Sequence, residues 1–101
     1  MTTIIVLFNL KAGVDRAVYE RWARETDLPI VNRLRSVDGF EVLRTAGLLS
    51  GGEAPYQYVE IIRVNDMQAF GADVASETVQ RVAAEYREFA DAPLFIKTEA
   101  L

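Results

Sequence analysis

Two carboxylates stand in unusual company in this sequence. Asp27 lies two residues before a proline, in ETDLPIV, and Glu60 interrupts an apolar run, VEII. Either can cycle a proton if burial raises its pKa toward neutrality by disfavouring the charged form. Arg44 offers a guanidinium suited to a substrate carboxylate or enolate. Tyr58, Tyr19 and Trp22 offer flat faces with polar tips, and Asn9 adds an amide. Such groups among aliphatics describe a small-molecule pocket. Asp27 and Glu60 are therefore the catalytic candidates. Trp22, Tyr19, Arg44, Tyr58 and Asn9 are the substrate-binding candidates, and no metal site is expected.

Each residue also has a plainer explanation. Asp27 can cap a helix beginning at Pro29, whose missing N–H needs no partner in a first turn. Glu60 and Arg44 can form a cross-strand pair that fixes register, since structural pairs outnumber catalytic ones. Aromatics near a helix kink are more often core than ligand walls.

Composition narrows the chemistry. The chain has no histidine, so the usual base near pH 7 and the commonest metal ligand are missing. It has no cysteine, which excludes disulfides, thiolate metal sites and a cysteine nucleophile and fits a reducing cytoplasm. Net charge is −4 and the basic residues are scattered singly, so nucleic acid is not an expected partner. The first apolar run is short and lacks a basic leader, so neither a signal peptide nor a membrane span is expected. Gly51-Gly52 does not join a strand to a helix as a phosphate loop requires. No cofactor is expected.

The elements that must position these groups can be read from spacing. TTIIVLFNL (2–10) is a β-branched strand with two apolar faces. Asp15 caps a helix with Val18, Trp22 and Ala23 on one side, and a kink precedes a second helical piece from Pro29. Asp38-Gly39 reads as a turn, 39–48 as a strand, SGGEAP (50–55) as a flexible loop over a pocket mouth, and 56–64 as a strand. Asn65-Asp66 caps a helix with Met67, Phe70 and Val74 inward. Ser76 starts another, whose stripe of Val79, Val82, Ala83, Tyr86 and Phe89 is helical. Pro93 ends it, and 94–100 is the last strand.

The order β-α-β-β-α-β predicts one α+β domain over 1–101. It is ferredoxin-like: a four-stranded antiparallel sheet with helices on one face. Both faces of the strands are apolar, so the open face needs a cover. The economical one is a second copy of the chain, sheet against sheet, as a homodimer. A loop centred near Gly52 places Arg44 opposite Glu60, Val42 opposite Ile62 and Ala46 opposite Tyr58. Glu60, Arg44 and Tyr58, with Asn9, would then form the polar part of that second face.

The segments YERWARETDLPIV, SVDGFEVLRTAGLL, PYQYVEIIRVNDMQAFGADVAS and ADAPLFIKTE resemble the RedY-like (HapK-like) proteins of the dimeric α/β-barrel superfamily. The resemblance spans nearly the whole chain and is most specific in ETDLPIV, PYQYVEII and AFGADVAS. It implies a homodimeric barrel, with a pocket between each sheet and its helices or along the barrel face. Some relatives occur in gene clusters for prodiginine and other pyrrole or indole pigments, and some promote ring closure or condensation. The wider superfamily includes isomerases and monooxygenases without metal or flavin. Several of its members carry histidine two residues before the helix proline. Here that place is Asp27, which puts histidine-dependent functions in doubt.

Three functions compete on these grounds. One is a cofactor-independent enzyme that cyclises, isomerises or condenses a flat apolar or aromatic metabolite. Another is a non-catalytic binding or accessory protein for such a metabolite. The third is a dimer whose second face is packed solid.

Overall fold

Alternation of apolar residues sets the layers. In β1 (Thr2–Leu10) Ile4, Val6 and Phe8 are buried, while their neighbours are only partly covered. The computed structural model describes residues 1–101. After β1 come α1 (Arg16–Trp22), a π-helical turn (Ala23–Asp27) and α2 (Leu28–Asn32). β2 (Val37–Arg44), β3 (Tyr58–Val64), α3 (Met67–Val74), α4 (Glu77–Phe89) and β4 (Ala90–Glu99) follow. The strands form one antiparallel sheet in the order β2-β3-β1-β4, the ferredoxin-like arrangement.

Local chemistry starts the helices where the sequence indicates. The Asp15 carboxylate accepts from Ala17 N–H, Asp66 from Gln68 and Ala69 N–H, and the Ser76 hydroxyl from Val79 N–H. The α4 stripe buries Val79, Val82 and Tyr86. On α1 the buried residue is Tyr19, whereas Val18 is exposed; Met67 on α3 is exposed too.

The strand ends differ from expectation for identifiable reasons. Asp38-Gly39 is not a turn. It lies inside β2, where the register shifts between Val37 and Gly39 as in a β-bulge. Pro93 does not precede the last strand but lies within it. β4 is an edge strand, where proline's missing N–H costs no ladder bond. Its register against β1 shifts between Leu7 and Asn9, and Ala92 takes φ 44° there.

The β2–β3 register is also two residues from expectation. Tyr58 faces Arg44, Glu60 faces Val42, and Ile62 faces Phe40. A two-residue slip keeps every side chain on its face, so Phe40, Val42 and Arg44 still lie beside Tyr58, Glu60 and Ile62. That face is the covered one. Phe8, Tyr58, Tyr19 and Tyr86 pack there, with Phe8 stacked on Tyr58 at 5.4 Å and edge-on to Tyr19 and Tyr86 at 5.6 and 5.1 Å. Glu60 therefore points at the helices, not at the open face.

The open face is apolar in its own right. Ile5 stands between Ile61 and Ile96, and Leu7 between Val59 and Leu94. Leu43 extends the second row, opposite Val59. Leu43, Leu94 and Ile96 are exposed.

Candidate functional site

The helical connection brings Asp27 inward. A four-residue step in an α-helix overshoots one turn by about 40°, so Tyr19, Ala23 and Asp27 would drift around a regular helix. The π turn holds more residues per turn and reduces that drift, and all three are buried. It also suits Pro29, whose ring would clash with the carbonyl four residues back in a regular helix. The N–H of Leu28 bonds Ala23 O, five residues back.

Asp27 is accordingly not a cap. Its own backbone is helical (φ −66°, ψ −56°), no new helix starts there, and its carboxylate accepts no capping bond. The chain runs on through Pro29 without the expected break. Asn32, at the end of α2, then clamps this unit to the sheet edge. Its amide donates to Phe40 O (3.1 Å) and Leu28 O (2.8 Å), and its oxygen accepts from Phe40 N–H (3.0 Å).

Asp27 and Glu60 line one cavity of about 150 Å³ between the sheet and α2, α3 and α4. Its walls are otherwise almost wholly apolar, among them Val31, Phe40, Ile62, Phe70, Val82 and Phe95, with Tyr86 beside Glu60. Asp27 is 5% exposed and Glu60 4%. Neither makes an ion pair. Burial pushes Asp27 up from 3.8 to about 7. Glu60 is raised well above the usual carboxylate range, first by burial and then by the charge of Asp27. Both shifts favour the protonated form, and the midpoint of Asp27 falls near neutral pH. Three buried polar atoms have no partner: Glu60 Oε2 and the hydroxyls of Tyr19 and Tyr86. Both tyrosines are pushed far above the ordinary phenol range, chiefly by burial and next by Glu60. Both remain hydrogen-bond donors.

A second cleft, of about 140 Å³, lies beside Tyr19 and is lined by Glu20, Arg24, Arg44 and Tyr58. Here the Arg44–Glu60 pairing expected from the sequence is replaced. Arg44 Nε lies 3.5 Å from Glu20 Oε2, and Tyr58 Oη donates to the same oxygen at 2.7 Å. Arg24 Nη2 approaches Glu20 Oε1 at 3.3 Å. Register explains the exchange. Arg44 sits two register pairs nearer the strand end than Glu60, over α1.

Of the sequence-derived candidates, Asp27 and Glu60 meet at the apolar cavity. Tyr19, Tyr58 and Arg44 meet at the second cleft, and Tyr19 is close enough to both carboxylates to feel their charge. Trp22 packs on Tyr19, Tyr86 and Phe89, and its Nε1 donates to Glu85 at 2.7 Å. Asn9 does not join the group. It faces the opposite way from Phe8, accepts from Gln57 N–H and donates to Pro55 O, tying β1 to the chain before β3. The glycine-rich loop borders a separate surface cleft with Arg16 and Thr45. Sequence spacing missed Glu20, an ordinary helix-surface type. It placed Tyr86 only in the core, although a phenol among aliphatics on that stripe was the available signal. No group of three or more acidic side chains comes together, so Asp27 and Glu60 would bring two carboxylate ligands to a hard cation.

A ferredoxin-like sheet with a buried carboxylate pair beneath its helices defines a small α+β protein with an apolar cavity between sheet and helices. Residues 2–101 match the family model described as REDY-like protein HapK, and the chain belongs to that family. It is similar to the crystal structure of HapK from Hahella chejuensis, with 30% identity and a TM-score of 0.80 over 100% of this chain and 93% of that one. It shares its fold with a variant of SnoaB, a cofactor-independent oxygenase from Streptomyces nogalater (18% identity, TM-score 0.76, 98% and 91% covered). It also shares it with a dimeric ferredoxin-like protein of unknown function from Thermobifida fusca (14%, 0.75, 98% and 90%). A search of curated proteins finds no match. No helix is long and apolar enough to cross a membrane.

Proposed function

We propose that this protein is a cofactor-independent enzyme of small-molecule metabolism. It binds a flat, largely apolar metabolite of pyrrole, indole or related aromatic type and moves a proton during its isomerisation, cyclisation or condensation. The observation that carries this reading is the pair Asp27 and Glu60, buried without partners on one apolar cavity. Burying a carboxylate without compensation is costly, and such groups concentrate where a perturbed pKa serves chemistry. Membership in the REDY-like family supports the reading. Orientation in a dry cavity would supply much of the rate, up to about 7–11 kcal/mol in favourable cases. Arg44, over the neighbouring cleft, would hold an anionic group of the substrate. We further propose that the protein works as a homodimer joined through the apolar sheet face, in the cytoplasm.

The test is a screen of pyrrole, indole and phenolic metabolites for binding and for mass-detected conversion. It is followed by Asp27→Asn and Glu60→Gln on any substrate found. Loss of turnover in either variant, with binding retained, is the expected result. Full turnover in both would overturn the assignment. Tight binding without conversion by the native protein would mark a carrier instead.

A further inference from the structure

Tyr86 and Glu60 reach the cavity from different layers, one from α4 and the other from β3. Each ends in a buried polar atom with no partner. Buried polar groups are nearly always paired, and an unpaired one is destabilising. Two beside one cavity, with apolar side chains around them, lack a partner that a polar ligand atom would supply. We infer that Tyr86 and Glu60 form a two-donor site for a ligand oxygen, facing Asp27 as proton acceptor, and that the ligand is a ring bearing an enolisable carbonyl or its phenolic tautomer. This rests on the proton-transfer reading given above and assigns its substrate class and the roles within it.

The donors are of the right kind. The Tyr86 hydroxyl keeps its proton, because burial and the neighbouring Glu60, Tyr19 and Asp27 all oppose its ionisation. Burial and the neighbouring Asp27 both favour the protonated form of Glu60, in which it presents an O–H rather than a second negative charge. A buried phenol and a neutral carboxylic acid together bind the oxyanion in unrelated isomerases. Asp27, near 7, is poised to accept a proton at physiological pH.

The step balances within the ligand and Asp27. The Asp27 carboxylate removes a proton from the carbon beside the carbonyl. The C–H bond breaks, an O–H bond forms on Asp27, and the electron pair moves onto the ligand oxygen as an enolate. Tyr86 and Glu60 donate hydrogen bonds to that oxygen. Return of the proton to a different carbon gives the tautomer, with no oxidant or reductant needed. Size agrees with a single ring, since a cavity of about 150 Å³ is one that admits benzene. Phe95, in the cavity wall on an edge strand, is 62% exposed. A larger substrate would extend past it.

The test uses the full chain with 4-nitrophenol, whose phenolate mimics the enolate, and 4-nitrotoluene, which lacks the oxygen. Absorbance reports both affinity and ionisation of the bound phenol. Nitrophenol is expected to bind more tightly than nitrotoluene. Tyr86→Phe is expected to weaken nitrophenol by about tenfold or more, the effect of one hydrogen bond to a charged group, and to leave nitrotoluene unchanged. Asp27→Asn, which mimics the protonated base, is expected to strengthen phenolate binding. Equal affinity for the two probes, or no effect of Tyr86→Phe on their difference, would overturn the oxygen site while leaving the cavity a binding site. Failure of both probes to bind would remove the cavity reading as well. If near-ultraviolet circular dichroism shows Tyr86→Phe misfolded, Glu60→Leu decides, since it removes the second donor: unaltered phenolate binding and ionisation would overturn the inference.

Discussion

Asp27 and Glu60 approach one cavity from opposite layers, one from the π turn and the other from β3, and neither has a cationic partner. Two uncompensated carboxylates oppose folding whenever they are charged. Folded Asp27 holds its proton up to about pH 7, against 3.8 ordinarily. Between those values the folded state binds more protons than the unfolded one, so stability falls as pH rises. The contribution is complete below about pH 4 and lost above about pH 7. The gap corresponds to about 4 kcal/mol at the linkage limit. Glu60 acts in the same direction. Urea midpoints measured from pH 5 to pH 8 should fall with pH, and a flat or rising trend would contradict the buried, unpaired placement of the pair.

Removing either titratable group should therefore stabilise the protein above the ordinary carboxylate range, where burial penalises its ionised form. Asp27→Asn and Glu60→Gln are each expected to raise stability at pH 8 by about 1–3 kcal/mol, with little gain at pH 5. Chemical denaturation at the two pH values checks this. Destabilisation at pH 8 by both variants would mean that the carboxylates have partners in solution.

The contrast between these two residues shows what the sequence could reveal. The order of elements, the caps at Asp15, Asp66 and Ser76 and the α4 stripe follow from local chemistry and were legible. The alternation around Glu60 was legible as well, and it groups Phe40, Val42, Tyr58 and Ile62 correctly. Which face meets the helices was not, because both faces of β1 are apolar and period-two patterning is symmetric between them. Register was not, because the strands end at Arg44 and begin again at Tyr58, and the longer connection between them turns through Gly47, Gly51 and Gly52, all with positive φ. Thr45 N–H and Gln57 O already pair beyond the strand end. Asp27 looked like a cap because proline two residues later signals a helix start. A π turn that carries the helix through that proline leaves no mark in apolar spacing.

The corrected register makes Glu20, not Glu60, the partner of Arg44 and Tyr58. Tyr58→Phe should cost about 1–2 kcal/mol, since it removes a 2.7 Å bond to a charged acceptor. A double-mutant cycle should find coupling between Tyr58 and Glu20 and little between Arg44 and Glu60. Coupling of Arg44 to Glu60 above about 1 kcal/mol would favour the register expected from the sequence.

The open sheet face supplies a separate prediction. Leu94 and Ile96 alternate with Phe95 on β4, so the strand that carries the exposed apolar face also carries one wall of the cavity. Sedimentation velocity should give twice the 11.3 kDa chain mass. Leu94→Lys with Ile96→Lys should give the monomer, because two buried ammonium groups would be uncompensated there. A monomeric native protein would refute the proposed homodimer.

Asn32 links fold to site without touching the cavity's carboxylates. Its side chain mimics a neighbouring strand at the free edge of β2, accepting from and donating to Phe40, and also closes the last turn of α2 on Leu28. Asn32→Ala removes three hydrogen bonds and leaves the Phe40 backbone to water, which should cost about 1–3 kcal/mol. Because α2 directly continues the π turn, loosening it should also admit water beside Asp27. Water relieves the desolvation that raises the Asp27 pKa, so its titration should shift down from about 7 toward 3.8. Carboxyl-carbon NMR titration of the variant reads that shift at the residue itself. A loss of stability with an unchanged Asp27 titration would mean that the π turn holds its place without the clamp.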